Sequence, residues 1–135
     1  MKHTSISVTG PATVAQAWQR YTSYDQWPRW APHISSVKAT TSHLDVGAHG
    51  RVYSYGRVLW VNFTITDVDD RAHSWSWHVH RGLLHFDLTH TLNPEATGTR
   101  AGLQIRGPAL LTQAYKPLAY AALRRLVSAA STQDN

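Results

Sequence analysis

Two histidines at the ends of adjacent predicted strands are the residues of this chain best suited to chemistry. His73 precedes the aromatic segment Trp75-Ser76-Trp77, and His90 follows Phe86-Asp87-Leu88. Because imidazole titrates near neutral pH, it can take a proton from the carbon next to a carbonyl and return it to an alkoxide or a leaving hydroxyl. Desolvation in an apolar wall would lower the pKa of either ring and keep it neutral. The alternative is a cavity rim, where backbone or water hydrogen bonds satisfy both rings.

A predicted hairpin positions these histidines. A turn at Arg81-Gly82 would pair mostly apolar residues across the two strands: Val79 with Leu84, Trp77 with Phe86, Trp75 with Leu88, and His73 with His90. Every apolar residue then falls on one face, and a slip of one residue would send the whole set to the other face. The buried face therefore ends at two histidines, which suggests an apolar ligand pocket with polar groups at one end.

Several large side chains are candidates to line that pocket. Those predicted to contact a ligand are Trp75, Trp77, Phe86, Leu88, Phe63, Trp30 and Leu111, although an aromatic stripe can also simply fill a core. Trp30 either gates the mouth or anchors a short helical segment. Tyr115 belongs to the apolar stripe of the last helix, so its hydroxyl either hydrogen-bonds a substrate carbonyl or reaches the surface.

A second histidine cluster is predicted on the outer face of the same hairpin, with His78 directly across from His85 and His80 beside them. Three imidazoles within reach can hold zinc, nickel or copper. An exposed cluster of this kind more often takes up adventitious metal, so we predict no functional metal site. No phosphate-binding glycine loop, nucleophile elbow or pair of catalytic carboxylates occurs in the sequence.

Length and composition exclude several classes. A chain of 135 residues has room for one domain, residues 1–135, and contains no cysteine for disulfides or thiolate chemistry. The net charge is +5, but the basic residues are scattered, so no nucleic-acid partner is expected. No apolar run is long enough to span a bilayer and no secretion signal is evident, which favours a cytoplasmic protein without a membrane partner.

The predicted elements are a first strand that ends at Gly10-Pro11, a helix to about residue 22 that begins at Pro11, and a short proline-limited helical segment. Six antiparallel strands follow, at about 33–42, 48–55, 57–68, 72–80, 83–92 and 98–106. A last helix runs to about Ser131, with a kink at Pro117 and a frayed tail beyond it. We also predict that Ser54 pairs with Arg57, and Leu92 with Thr99, which places Ala101 opposite His90.

This order resembles the helix-grip fold of the START-like, Bet v 1-like superfamily, in particular its bacterial polyketide cyclase/dehydrase (SRPBCC) branch. The segments that carry the resemblance cover nearly the whole chain: Pro11 to Trp18, Tyr24 to Trp30, Val46 to Gly50, Thr89 to Leu92, and Gly107 to Leu111. The resemblance implies an α+β fold with a seven-stranded curved antiparallel sheet wrapped around a long C-terminal helix. It also implies a cavity that holds a hydrophobic molecule.

The aromatase/cyclase members of that superfamily carry an arginine, a tyrosine and aromatic residues in the cavity. Here the chain departs from the pattern, because the strand that would carry the inward arginine offers Leu59, Val61, Phe63 and Ile65. His90 takes a place where those cyclases have an aromatic residue. An acid/base reaction on a smaller substrate therefore fits this chain better than a full aromatase mechanism.

The functional prediction is a protein that binds a hydrophobic, oxygenated small molecule, polyketide-like in character, and promotes its cyclisation or dehydration without a cofactor. His90 would be the general acid/base, assisted by His73 or Tyr115. The alternatives are a carrier protein of the same fold and a protein-interaction module with a filled core. The sequence is compatible with a monomer or a homodimer.

Overall fold

The structure is a computed structural model that describes residues 2–129. Its strands are β1 (Lys2–Gly10), β2 (Ser36–Ala39), β3 (His49–Ser54), β4 (Leu59–Asp69), β5 (Ser74–Arg81), β6 (Leu84–Glu95) and β7 (Gly98–Gly107). Its α-helices are α1 (Val14–Thr22), α2 (Trp27–Trp30) and α3 (Ala109–Leu126), and a 3₁₀ turn at Tyr24–Gln26 leads into α2. The predicted element order is confirmed.

The seven strands form one antiparallel sheet in the order β1-β7-β6-β5-β4-β3-β2. The first strand therefore closes against the last, while β2 forms the other edge. Helix α3 packs against β1, β7 and α2, so the curved sheet and the long helix face each other across the interior. The predicted α+β helix-grip architecture is confirmed, and any cavity must lie between α3 and the sheet.

Helix α1 begins at a capping box. The Thr13 hydroxyl accepts from the Gln16 backbone N–H at 3.1 Å, and the Gln16 side chain accepts from the Thr13 N–H at 3.0 Å. These two bonds satisfy backbone donors that a helix start leaves free. The prediction that Pro11 opens the helix is wrong, because Thr13 supplies the cap and Pro11 lies before it.

Arginine 20 joins the end of α3 to α1. Its guanidinium is buried and donates to the carbonyl oxygens of Leu126 at 2.6 Å and Ser128 at 3.0 Å. The Ala12 N–H donates to the Val127 carbonyl at 3.0 Å, and a Cβ at Gly10 would collide with that same oxygen. A cation and a backbone donor thus satisfy carbonyls that a helix end leaves free, which holds α3 over the sheet.

The three predicted hairpin registers are each wrong by two residues. In the structure Trp77 pairs with Leu88 and Trp75 with His90, so His73 does not face His90. Leu92 pairs with Ala101, which places Leu103 rather than Ala101 opposite His90. Ser54 pairs with Leu59. A shift of two residues keeps every side chain on its predicted face, so the buried face is as predicted while the pairing along it differs.

Turn geometry explains the shift. The β5–β6 loop is Gly82-Leu83, with Gly82 at φ +59° as its first residue, the position at which a two-residue hairpin loop of type II′ requires glycine. The β3–β4 loop spans residues 55–58, where Tyr55 and Gly56 both have positive φ. The prediction placed the β5–β6 loop one residue too early, at Arg81-Gly82, and gave the β3–β4 loop two residues instead of four. Each of these errors moves the register by two residues.

Two element boundaries also differ from the prediction. Strand β2 is only Ser36–Ala39, because residues 31–34 form a turn in which the Ile34 N–H donates to the Ala31 carbonyl at 2.9 Å. Helix α3 ends at Leu126, where Arg20 binds its carbonyl, and not near Ser131. Pro117 lies inside the helix as predicted. The predicted frayed tail, residues 131–135, lies outside the described residues.

Candidate ligand-binding cavity

A cavity of about 540 Å³ lies between the concave face of the sheet and α3. Its volume falls within the range of ordinary small-molecule sites. The wall is mainly aliphatic and aromatic and comes from β3 to β7 and α3, with a contribution from the α2–β2 loop. Such a cavity selects for a largely apolar molecule, because burying apolar surface is the main source of affinity it offers.

The stripe of α3 that faces the cavity is helical in spacing: it consists of Leu111, Tyr115, Leu118, Ala119, Ala122 and Leu123. The small side chains of Ala119 and Ala122 lie where α3 crosses the sheet, and both are almost completely buried. Larger residues there would fill the space, so these two alanines help to keep the interior hollow.

Exposed apolar side chains surround the opening of the cavity. Leu84 is 45% exposed, Leu111 40% and Leu118 39%, and all three belong to the cavity wall. Tyr55 and Leu59 also line the cavity and are exposed. The opening therefore lies between the β3–β4 loop, the β5–β6 hairpin and the start of α3, and it offers an apolar entrance.

Most of the residues predicted to contact a ligand lie on this wall: Trp30, Trp77, Phe86, Leu88, Leu111, His90 and Tyr115. Trp30 also donates from its indole N–H to the Arg20 carbonyl at 2.9 Å, so it anchors α2 as well as lining the cavity.

Trp75 and Phe63 lie in the packed core and not on the wall. Trp75 is fully buried and stacks on the His90 imidazole at 4.4 Å between centroids, while Trp27 of α2 packs against both Trp75 and Phe63. The prediction that these two residues contact the ligand is not supported by this arrangement. Trp27, Trp75 and Phe63 are all almost completely buried and none of them lines the cavity, so the three rings belong to the packed core.

His73 lies away from the cavity. It occupies the turn before β5 with a φ of +55°, its carbonyl accepts from the Leu92 N–H at 3.0 Å, and its ring packs edge-on against Trp18. Its predicted pairing with His90 is wrong, because the true register places Trp75 there. His73 is therefore not among the residues that line the cavity.

His90 reaches the cavity wall, but both of its ring nitrogens have partners. The Trp77 indole N–H donates to Nε2 at 3.2 Å, and Nδ1 lies 3.1 Å from the Tyr21 hydroxyl. Because an indole nitrogen is only a donor, Nε2 must be the acceptor, so the neutral ring carries its proton on Nδ1 and donates it to Tyr21. The network thus assigns one tautomer and leaves neither nitrogen free for a ligand.

Burial lowers the pKa of His90 from its ordinary 6.5 to about 3. The hydrogen bond from Trp77 acts in the same direction, because a second proton on Nε2 would face the indole N–H. At neutral pH the ring is therefore uncharged. Burial, and to a smaller extent Tyr115, likewise raises the pKa of Tyr21 well above its usual value, so the pair stays neutral.

A second polar pair lies on the cavity wall between α3 and the α2–β2 loop. The Tyr115 hydroxyl lies 3.5 Å from His33 Nε2, at the long end of hydrogen-bond distance, and the two rings meet edge to face. Burial raises the pKa of Tyr115 to about 12 and lowers that of His33 below its usual value. Both groups are therefore neutral around pH 7.

The sequence prediction missed His33 and Tyr21. His33 is separated from Tyr115 by 82 residues, so only the tertiary fold brings them together. Its position after Pro32, in a segment predicted as strand, gave no signal of a site. Tyr21 belongs to the recognised apolar stripe of α1, but nothing in its spacing indicated that its hydroxyl meets His90.

The outer-face histidines form a hydrogen-bonded chain. His78 Nδ1 lies 2.8 Å from an Asp87 carboxylate oxygen, and His78 Nε2 lies 2.9 Å from His85 Nδ1, while His80 stacks against both rings. His78 pairs with Asp87 and not with His85, contrary to the prediction. Within residues 2–129, no group of three or more histidine or acidic side chains is arranged to hold a metal ion.

Comparison with known families gives a match over residues 1–134 to the family described as "Polyketide cyclase / dehydrase and lipid transport". No curated protein sequence matches the chain. Over the described residues, no helix has both the length and the apolar character needed to cross a bilayer.

Solved structures with the same fold include Ara h 8.0201, with a TM-score of 0.75 and 14% identity over 93% of this chain and 94% of that one. The di-domain ARO/CYC BexL from the BE-7585A biosynthetic pathway has a TM-score of 0.78 and 15% identity over 94% of this chain and 45% of its own. Protein CV1439 from Chromobacterium violaceum has a TM-score of 0.72 and 12% identity, covering 94% and 96%. At these identities the likeness shows the fold alone.

Proposed function

We propose, from the premise that this chain belongs to the polyketide cyclase / dehydrase and lipid transport family, that it binds a hydrophobic, oxygenated small molecule between α3 and the sheet. The observation that carries the proposal is the cavity of about 540 Å³ with its apolar wall and apolar entrance. The polar groups on that wall are few, which is the pattern expected of a site that orients an apolar ligand by one or two hydrogen bonds.

Isothermal titration calorimetry with 2-acetylnaphthalene tests this proposal. The wild-type protein should bind one molecule in the micromolar range. Ala122→Phe, which places a ring in the cavity, should abolish binding, whereas Ala114→Phe on the exposed face of the same helix should leave it unchanged. Absence of binding to the wild type, or equal binding by the two variants, would contradict the proposal.

A second candidate function is cyclisation or dehydration of a carbonyl compound, which the family description and the ARO/CYC neighbour favour. In a dehydration, a base takes the proton from the carbon next to the carbonyl and returns it to the β-hydroxyl, which leaves as water while a carbon–carbon double bond forms. His90 is the predicted base. The geometry around His90 opposes this role, because both ring nitrogens are hydrogen-bonded within the protein and a pKa of about 3 makes the ring a poor proton acceptor.

A β-hydroxyketone probe, 4-hydroxy-4-(2-naphthyl)butan-2-one, separates the two functions, because its enone product absorbs at longer wavelength. A dehydratase should form the enone faster than buffer does, and His90→Gln should lose that rate while still binding the probe. If the wild-type protein binds the probe but converts it no faster than buffer does, the protein is a carrier. His49→Gln, at an exposed histidine, is the control and should behave as the wild type.

A further inference from the structure

One polar atom beside the cavity has no partner. His33 Nδ1 is enclosed, and none of the described residues offers it a hydrogen bond. The other ring nitrogen, Nε2, meets the Tyr115 hydroxyl at 3.5 Å. Tyr115 makes no other hydrogen bond within residues 2–129, and both side chains belong to the cavity wall.

The unpartnered nitrogen decides the direction of this hydrogen bond. A neutral imidazole carries one proton. If that proton were on Nδ1, it would be an enclosed N–H without an acceptor, at an atom that is closed off from any ligand. With the proton on Nε2, the ring donates to the Tyr115 oxygen, and the donor without an acceptor is then the hydroxyl of Tyr115, a residue of the cavity wall where a ligand can supply one. His33 therefore donates to Tyr115.

This direction leaves the Tyr115 hydroxyl proton without an acceptor. A hydroxyl donor without an acceptor in an apolar wall is unfavourable, and an acceptor on the ligand removes this cost. The neighbouring wall residues Leu118, Ala119 and Ala122 offer none. The wall thus presents a hydroxyl donor whose partner is supplied by the ligand.

The acceptor should be a neutral oxygen. Arg81 is the one lysine or arginine on the described cavity wall, and its guanidinium stacks on Trp60 at 4.4 Å and donates to the Trp60 carbonyl. A carboxylate beside Tyr115 would be desolvated against two neutral groups and would gain no ion pair there. A ketone, aldehyde or ester carbonyl has no such cost.

We propose that Tyr115 and His33 form a polar subsite in which Tyr115 donates to a neutral carbonyl oxygen of the bound ligand and His33 is the positioning residue that holds Tyr115 as a donor. This inference rests on the proposed ligand-binding function. It names the ligand as an apolar carbonyl compound and places its carbonyl next to the middle of α3.

Two probes of similar shape test the subsite: 2-acetylnaphthalene carries the carbonyl, and 2-isopropylnaphthalene lacks it. Tyr115→Phe should weaken binding of the ketone about five- to tenfold, the effect of one hydrogen bond, and should change binding of the hydrocarbon less than about twofold. Tyr120→Phe, on the same helix but away from the cavity wall, should change neither. Equal effects of Tyr115→Phe on both probes would overturn the proposal.

The carbonyl stretching frequency of bound, isotope-labelled 2-acetylnaphthalene measures the hydrogen bond from Tyr115 to the ligand directly. It should lie lower in the wild-type complex than in the Tyr115→Phe complex. His33→Gln, whose amide N–H can replace Nε2–H, should keep the lowered frequency, and His33→Leu should lose part of it. A frequency that is the same in all four proteins would show that His33 and Tyr115 do not act on the carbonyl.

These outcomes separate the subsite from the function on which it rests. If neither probe binds the wild-type protein, the proposed function fails. If both probes bind and neither Tyr115→Phe nor His33→Leu distinguishes them, the cavity binds ligands but the subsite is wrong. Binding of the hydrocarbon also reports that each variant is folded.

Discussion

The two halves of the concave face of the sheet have the same alternation of apolar residues in sequence, but their side chains pack differently. On one half, Trp27 of α2 inserts among Trp75, Trp77 and Phe63, and His90 stacks on Trp75, so the space is filled by aromatic rings. On the other half, similar apolar residues from β4 to β6 face α3 across a cavity of about 540 Å³. Side chains of the same type thus become core or cavity wall according to what lies opposite.

The difference lies in the covering element. Helix α2 places the fully buried Trp27 against the packed half, whereas α3 crosses the other half with Ala119 and Ala122. Large residues opposite an aromatic face fill the space and small ones leave it open. The predictions below test this contrast, in order of decreasing effect.

Trp27→Ala should give the largest loss of stability, about 3–5 kcal/mol, because it removes a fully buried indole and leaves a void in the packed half. It also removes the indole N–H donor to the Tyr21 carbonyl at 2.8 Å. Urea unfolding measures the change. Trp60→Ala, at a partly buried residue of the cavity wall, is the matched control and should cost about 1 kcal/mol. Equal losses would mean that both halves are packed alike.

Because of His90, the free energy of unfolding should decrease as the pH is lowered from about 6.5 to 3. The unfolded ring takes up a proton near its ordinary pKa of 6.5, whereas the folded ring does so only near 3. Its contribution is therefore complete above pH 6.5 and is lost as the pH falls, by about 2–3 kcal/mol between pH 6.5 and 4.5. Unfolding free energies across this range measure it.

His90→Gln supplies the comparison for that pH dependence. The variant lacks the titrating ring, so its unfolding free energy should change less steeply with pH over the same range. His49→Gln, at an exposed histidine, should keep the wild-type slope. An identical slope in His90→Gln and the wild type would show that the His90 ring is not shielded from water in the folded protein.

Added volume should be tolerated in only one of the halves. Ala17→Leu enlarges a fully buried residue of α1 that is not on the cavity wall and should cost about 1–3 kcal/mol. Ala122→Leu should cost less than about 1 kcal/mol because its side chain can extend into the cavity, and it should weaken binding of 2-acetylnaphthalene. Thermal unfolding measures the two changes in stability, and calorimetry measures the binding of 2-acetylnaphthalene. A larger loss for Ala122→Leu would indicate a filled interior.

Leu111→Ala should have the smallest effect on stability. The side chain is 40% exposed at the entrance, so its truncation should cost less than about 1 kcal/mol, while binding of 2-acetylnaphthalene weakens about two- to fivefold. Leu110→Ala, at a neighbouring residue that is 87% exposed and not on the cavity wall, should change neither quantity. Identical binding by the two variants would show that Leu111 is not part of the entrance.

Local patterns were sufficient to predict the elements and the buried face of the sheet. Alternation along β5 and β6 placed Trp77, Leu88 and His90 inward, and the structure confirms this, because a shift of two residues does not change the face. The helical spacing of Leu111 and Tyr115 likewise placed both on the interior stripe of α3. Prediction failed for the register, because it depends on whether Gly82 opens or closes its turn.

The sequence by itself determined which side chains are buried, because periodicity and burial are local properties of each strand and helix. It also carried the family resemblance that the match over residues 1–134 confirms. Only the tertiary structure decided that Trp75 is core, that both nitrogens of His90 are bonded, and that His33 meets Tyr115. Those facts depend on which elements lie opposite each other, and packing between segments far apart in sequence leaves no periodic signal within either one.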